Sequence, residues 1–152
     1  DYFDNTIFVF FGDHSNRITT LPHMPAMDQL GLESNHVPHI IYAPRYLKPR
    51  VIEESVGLVD VLPPVAGMLG LNYRNTTLGR DFQIPAPEGD RASFVVLREG
   101  PTPIYGMVTK NFLVRINANG NNATLHDLHS DTPKQDGQYE TARYMFYDNV
   151  DE

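Results

Sequence analysis

Apolar positions along the chain fall into two textures. Near the start, Thr6 to Phe11 (TIFVFF) is a short continuous apolar run, rich in β-branched and aromatic residues and bounded by Asp4-Asn5 and Gly12. Such a run predicts a strand buried on both faces, as at the centre of an α/β sheet. A second run, Val37 to Ala43 (VPHIIYA), predicts another, with Pro38 near its beginning, where a missing N–H is tolerable, and Pro44 ending it. Between them Ser15 to Asn35 is polar, and Pro22, Pro25 and Gly31 interrupt any long period. That stretch predicts an extended loop with room for one helical turn, and a loop of such length between strands is usually functional or mobile.

A helix is predicted at VLPPVAGML, with Asp60 as its cap, Pro63 and Pro64 in or just past the first turn, and Gly70 as its stop. Leu62, Val65, Ala66 and Leu69 share one face, which predicts packing on the sheet. From Ala92 the texture changes to short strands: ASFVVLRE, PIYGMVTKN and FLVRINA, then Asn119-Gly120-Asn121-Asn122 as a turn before ATLHDL. This is the pattern of an antiparallel meander. Tyr139 to Tyr147 follows a Pro/Gly-rich break and predicts a terminal helix, with Tyr139, Ala142, Arg143 and Phe146 at helical spacing. The chain therefore divides into residues 1–90, an α/β portion, and 91–152, a meander and helix, within one structural unit.

Length and charge narrow the partners. With 152 residues and 41% hydrophobic positions there is enough apolar surface for a folded core. A net charge of −7 with no basic stripe argues against nucleic acid, whose phosphates demand concentrated Lys and Arg. Zero Cys excludes disulfides and thiolate ligands, so any metal must be held by oxygen and nitrogen. No run approaches the roughly 18 apolar residues of a membrane span. The chain begins at Asp1 rather than Met and enters a strand within a few residues, so it is expected to be a fragment of a longer protein.

Asp13 and His14 follow the first strand directly, and ligands collect at the carboxyl ends of strands in open α/β sheets. A carboxylate oxygen and an imidazole nitrogen suit Zn²⁺ or Mn²⁺, and Gly12 lets the backbone bend so that both reach one point. Taken alone, the dipeptide reads more often as a strand-ending turn with a solvated His, because two-residue motifs recur by chance. His36 precedes the second strand, His23 lies in the loop, and His39, inside the strand, reads as a core or interface residue. Arg17 and Lys48 read as solvated bases. Asn75-Thr76-Thr77 and Asn122-Ala123-Thr124 match the glycosylation pattern, which is frequent by chance. There is no activated nucleophile: no GxSxG elbow, no Cys, and no marked Ser or Thr.

Three blocks in order, NTIFVFFGDH, HVPHIIYAP and VIEESVGLVDVLPPVAGMLGLNYRNTTLGRDF, resemble the C-terminal part of the sulfatase and alkaline-phosphatase superfamily. Within it the likeness is to membrane-anchored phosphoglycerol and phosphoethanolamine transferases, lipoteichoic acid synthase among them. The later KNFLVRINANGNNATLHDLHSD is similar to the ending of sulfatases, so the resemblance covers nearly the whole chain. It implies a C-terminal fragment of an alkaline-phosphatase-like α/β fold: central strands with a packed helix, a small antiparallel sheet and a terminal helix. Ser15 stands where the family usually has Gly.

The resemblance implies that Asp13 and His14 ligate the catalytic divalent metal, with Mn²⁺ foremost and Zn²⁺, Ca²⁺ or Mg²⁺ as alternatives. It implies a substrate-phosphate or second-metal role for His36 and, by a weaker match, substrate-phosphate contact for His23. The family's nucleophile and first acidic ligand lie in an N-terminal half that these residues do not include, so the fragment is expected to be inactive alone. The parent is expected to act on phosphate or sulfate esters, including lipid-linked ones, at the extracytoplasmic face of a membrane to which it is anchored. The rival expectation is a non-catalytic module that keeps the fold. Exposed sheet edges predict some self-association of the fragment.

Overall fold

The computed structural model of the chain describes residues 2–16, 25–85, 91–98 and 100–134. The helix expected at Tyr139 to Tyr147 lies outside them. The first apolar run forms β1 (Phe8–Phe11) and the second β2 (His39–Tyr42), paired antiparallel with Phe8 opposite Tyr42 and Phe11 opposite His39. Alternation places Phe8, Phe10, Ile40 and Tyr42 on one face of this ribbon, and Val9, Phe11, His39 and Ile41 on the other. Phe3, on a short 3-10 turn, packs its ring against Phe8 and Tyr42.

Burial of β1 differs from the expectation of a strand covered on both sides. Phe10 and Phe11 are 55% and 52% exposed. The reason is the size of the sheet: it has two strands among the described residues, with no third strand beside them. A run of apolar residues states a preference for burial, and the neighbours decide whether it is met.

Residues between the strands run through α1 (Pro25–Gln29), a single helical turn as expected. Leu30 and Leu32 follow it around Gly31, whose φ of 70° is the left-handed conformation that ends the helix. Both leucines are buried, with Ala26, against Leu97 and Leu113 of the second sheet. Full burial of such side chains is worth roughly 1.5–3 kcal/mol each. The long connection is thereby pinned to the main core just before it turns back into β2. Gln29 adds a bond from its side-chain amide to the Asp131 carbonyl, 2.8 Å.

The second sheet is the expected meander: β3 (Ser93–Arg98), β4 (Pro103–Val108), β5 (Phe112–Asn117) and β6 (Thr124–Asp127), in that spatial order and antiparallel throughout. Register puts Leu97 opposite Ile104 and Val108 opposite Leu113, which gathers the core-facing side chains on one face. Gly120 and Asn122 take positive φ in the turn before β6, as its Asn-Gly-Asn-Asn sequence demands.

The predicted helix is present as α2 (Leu62–Met68), and it shows a different face to the protein. Pro63, Pro64 and Ala66 are buried, whereas Leu62 and Leu69 are exposed. Asp60 does not cap α2, contrary to the expectation from sequence. It ends a 3-10 turn, Leu58–Asp60, and its carboxylate accepts from the Gly57 N–H at 2.8 Å and the Arg80 N–H at 2.7 Å. Those bonds fix the entry to α2 from outside the helix, and of the stripe read from spacing Ala66 is buried and Val65 half-buried while Leu62 and Leu69 face solvent.

Candidate functional site

Beyond Phe11 the two strands continue side by side through backbone bonds. The Gly12 N–H donates to the Pro38 carbonyl at 3.1 Å, and the Ser15 N–H to that of Ser34 at 2.9 Å. These two bonds bracket Asp13 and His14 on one segment and Asn35 to Val37 on the other. Gly12 is required by proximity: a Cβ there would stand 2.9 Å from Cβ of Val37. His36 is held by its N–H, which donates to the Leu32 carbonyl at 3.0 Å and closes the turn after Leu30 and Leu32. Asp13, His14 and His36 therefore occupy one end of the β1–β2 ribbon, anchored to the meander core through that turn.

The side chains of Asp13 and His14 are 85% and 71% exposed. Oδ2 of Asp13 lies 3.8 Å from Nε2 of His14, and Oδ1 accepts the His14 N–H at 2.9 Å. A carboxylate oxygen and an imidazole nitrogen so disposed are chemically suited to a divalent cation. Among the described residues no three His, Asp, Glu or Cys side chains stand together as a metal-holding group. The tip thus offers two donors. His23 and Arg17 lie outside the described residues, and Lys48 is exposed on the segment after β2.

Behind the tip sits a contact that spacing did not foretell. The His39 ring, opposite Phe11 in the last regular pair of the ladder, meets Phe11 edge-on at 6.5 Å and Phe82 at 5.7 Å between centroids. Its Nε2 is buried without a hydrogen-bond partner. Burial pushes this imidazole below its ordinary value of 6.5, and the Asp60 carboxylate, acting upward, offsets only part of that. Expected as a core or interface residue, His39 is half-buried between two phenyl rings with one buried nitrogen left without a partner.

Asp60 and Phe82 belong to a second feature that sequence reasoning missed. Asn75 accepts the N–H and hydroxyl of Thr77 at 3.0 and 2.8 Å and donates to the Gly79 carbonyl at 2.6 Å. This side chain builds the turn that presents Arg80 to Asp60, a structural role for one of the two glycosylation-pattern asparagines. Asp60 is 5% exposed. The signal available was an aspartate set between Leu58-Val59 and Val61-Leu62, a setting where a carboxylate must find partners.

Phe82 also helps line a cleft of about 480 Å³, with Arg50, Glu53, Glu54, Gln83, Arg91 and Lys110 around it. Its charges are largely matched: Nε of Arg91 lies 2.6 Å from Oε2 of Glu54, and Nζ of Lys110 lies 2.9 Å from Oε2 of Glu53. Arg91, almost wholly buried, also donates to the carbonyls of Ile84 and Asp81. These bonds tie the segment before β3 to the one after β2.

Comparison with known proteins gives a fold. No family model matches the chain, and no curated relative matches its sequence. Among solved structures it is similar to a 2-O GAG sulfatase, at a TM-score of 0.60 and 16% identity, over 94% of this chain and 34% of that one. The chain spans about a third of that sulfatase's length. Its mixed α/β architecture, antiparallel sheets with few helices, is thus a sulfatase-like fold, similar to a sulfatase's C-terminal region.

Proposed function

We propose that the chain is the part of a metal-dependent sulfatase or alkaline-phosphatase superfamily enzyme that supplies two metal ligands, Asp13 and His14. The observation carrying this reading is the exposed carboxylate–imidazole pair, 3.8 Å apart, at the end of a strand in a sulfatase-like fold. His36, at the same end of the ribbon, would contact the ester's anionic group, with His23 as a further candidate. A bound Mn²⁺, or Zn²⁺, Ca²⁺ or Mg²⁺ in its place, would supply Lewis-acid stabilisation of charge on the transferring group. The likeness of the three blocks supports phosphoglycerol or phosphoethanolamine transfer, with sulfate hydrolysis as the alternative, since the GDH block does not separate the two. On that reading the substrate is a lipid-linked phosphate ester at the extracytoplasmic side of a membrane, and the nucleophile comes from residues outside this chain.

Titration of the purified chain with Mn²⁺, followed by the loss of free-ion EPR signal, tests the ligands. Two donors leave a four- to six-coordinate ion mostly hydrated, so binding is expected to be weak. Asp13→Ala or His14→Ala should weaken it about tenfold or more and leave the thermal midpoint unchanged, because both side chains face solvent. Unaltered binding in both variants would remove the basis of the proposal. No turnover of a chromogenic phosphodiester is expected from the chain by itself.

A further inference from the structure

The chemistry assigned to the ribbon tip leaves His39 without a role, yet its surroundings are unusual for a histidine. It begins β2, three residues after His36, and faces Phe11, two residues before Asp13. One side of the ring meets Phe11 and another meets Phe82, so it joins the ribbon to the segment after α2. The neutral ring suits this place: its apolar edges fill the space between two phenyl groups, and a single buried nitrogen is left without a partner. The charged ring does not, because imidazolium carries a proton on both nitrogens, and Nε2–H would then be a buried donor with no hydrogen-bond partner. Asp60 is the charged group whose field acts on His39, and its two oxygens are already engaged by the Gly57 and Arg80 N–H groups. It cannot swing to receive that proton without giving up bonds that hold the Arg80 turn.

We propose that His39 is an acid-released latch: as neutral imidazole it clamps the end of the β1–β2 ribbon to Phe82, and on protonation the clamp opens. The element released is the start of β2, with the Gly12–Pro38 bond immediately beyond it, so the segments carrying Asp13, His14 and His36 lose their fixed spacing. The latch is a property of the packing and stands whatever the tip binds. Its effect on the tip rests on the reading given above.

The sign follows from linkage. A base whose folded-state value is depressed binds fewer protons in the folded state than in the open state over the window below about 6.5. Closure is therefore strongest above that pH and weakens as pH falls toward the folded-state value.

Two measurements on the chain test this. Ring ¹H–¹³C NMR titration should show His39 protonating below the ordinary imidazole value of 6.5. Hydrogen-exchange protection of the Gly12 amide, corrected for intrinsic rate, should fall at least tenfold below the His39 midpoint. In His39→Phe, which keeps an aromatic filler and cannot titrate, that protection should be flat over the same range. Should His39→Phe fail to fold, Phe82→Ala serves, since removing one jaw should raise the His39 midpoint and weaken Gly12 protection already at neutral pH. The proposal is overturned if His39 titrates at or above 6.5. It is overturned equally if Gly12 protection in His39→Phe, or in Phe82→Ala, keeps the unmodified chain's pH profile. Mn²⁺ binding is not a readout here, so failure of the latch and failure of the metal assignment are separate results.

Discussion

Replacing Asp60 by Ala should be among the most destabilising changes to the chain that touch no apolar side chain. The buried carboxylate accepts two backbone hydrogen bonds, from Gly57 at 2.8 Å and from Arg80 at 2.7 Å. Alanine removes both acceptors and leaves two N–H groups in a space shaped for oxygens. A hydrogen bond to a charged group contributes about 1.5–3 kcal/mol, so the pair sets a range of about 3–6 kcal/mol. Arg80 is an exposed residue and water can reach part of the vacated space, which points to the lower half, about 3–4 kcal/mol. Against a total of about 5–15 kcal/mol for a domain, that is a large fraction. Urea unfolding reads it directly: with a slope of roughly 1–3 kcal/mol per molar, the midpoint should fall by about 1–4 M. Asp60→Asn keeps the shape and one acceptor, so about half of the loss should return. A loss below about 1 kcal/mol in Asp60→Ala, or an Asn variant as damaged as the Ala variant, would refute the argument that these two bonds organise the entry to α2.

Two further outcomes follow from the same elements. Gly79→Ala places a Cβ into the Val59 carbonyl, a backbone atom that cannot step aside, so a loss of at least about 1–3 kcal/mol is expected in the same assay; a neutral result would mean that the Asn75 turn shifts freely. Lys110 hydrogen-bonds Glu53 and adds its charge, holding that carboxyl below its ordinary 4.5, so the pair's stabilising effect is present above about pH 4.5 and is lost as pH falls through the folded-state value. Both groups lie in solvent, so Lys110→Met should lower the neutral urea midpoint only slightly, while the Glu53 ¹³C carboxyl titration moves up toward 4.5; an unmoved titration would mean that the pair does not form in solution.

Local chemistry was legible wherever it decided the outcome. The meander followed from alternation and turn residues: ASFVVLRE and FLVRINA became β3 and β5, and Asn119-Gly120-Asn121-Asn122 took the positive φ values its composition favours. The single helical turn in the polar loop was readable too, because Pro25 and Gly31 mark its two ends. Tertiary partners account for what was not readable. TIFVFF carries no mark of how many strands will lie beside it, so Phe10 and Phe11 stand half in solvent. The spacing of Leu62, Val65, Ala66 and Leu69 could not anticipate that Asp60 would bind the Arg80 N–H across 20 residues, or that only the middle of the stripe would be covered while Leu62 and Leu69 face solvent. At the site, Asp13 and His14 could be nominated from their place after a strand. The Phe11–His39–Phe82 contact depends on a residue more than 40 positions downstream, and no local pattern records it.

The two sheets also differ in how far the chain must travel to close them. β3 to β6 are joined by turns of three to six residues, whereas residues 12–38 lie between β1 and β2. Closing the longer loop costs about 2 kcal/mol more in chain entropy than closing a four-residue turn. The meander gathers its hairpins in sequence and, with Leu97 and Leu113 at its centre, presents the surface on which Leu30 and Leu32 land. On loop-closure grounds the meander is expected to form first and the ribbon tip last, so Asp13 and His14 would gain a defined position only after the far half of the chain has folded.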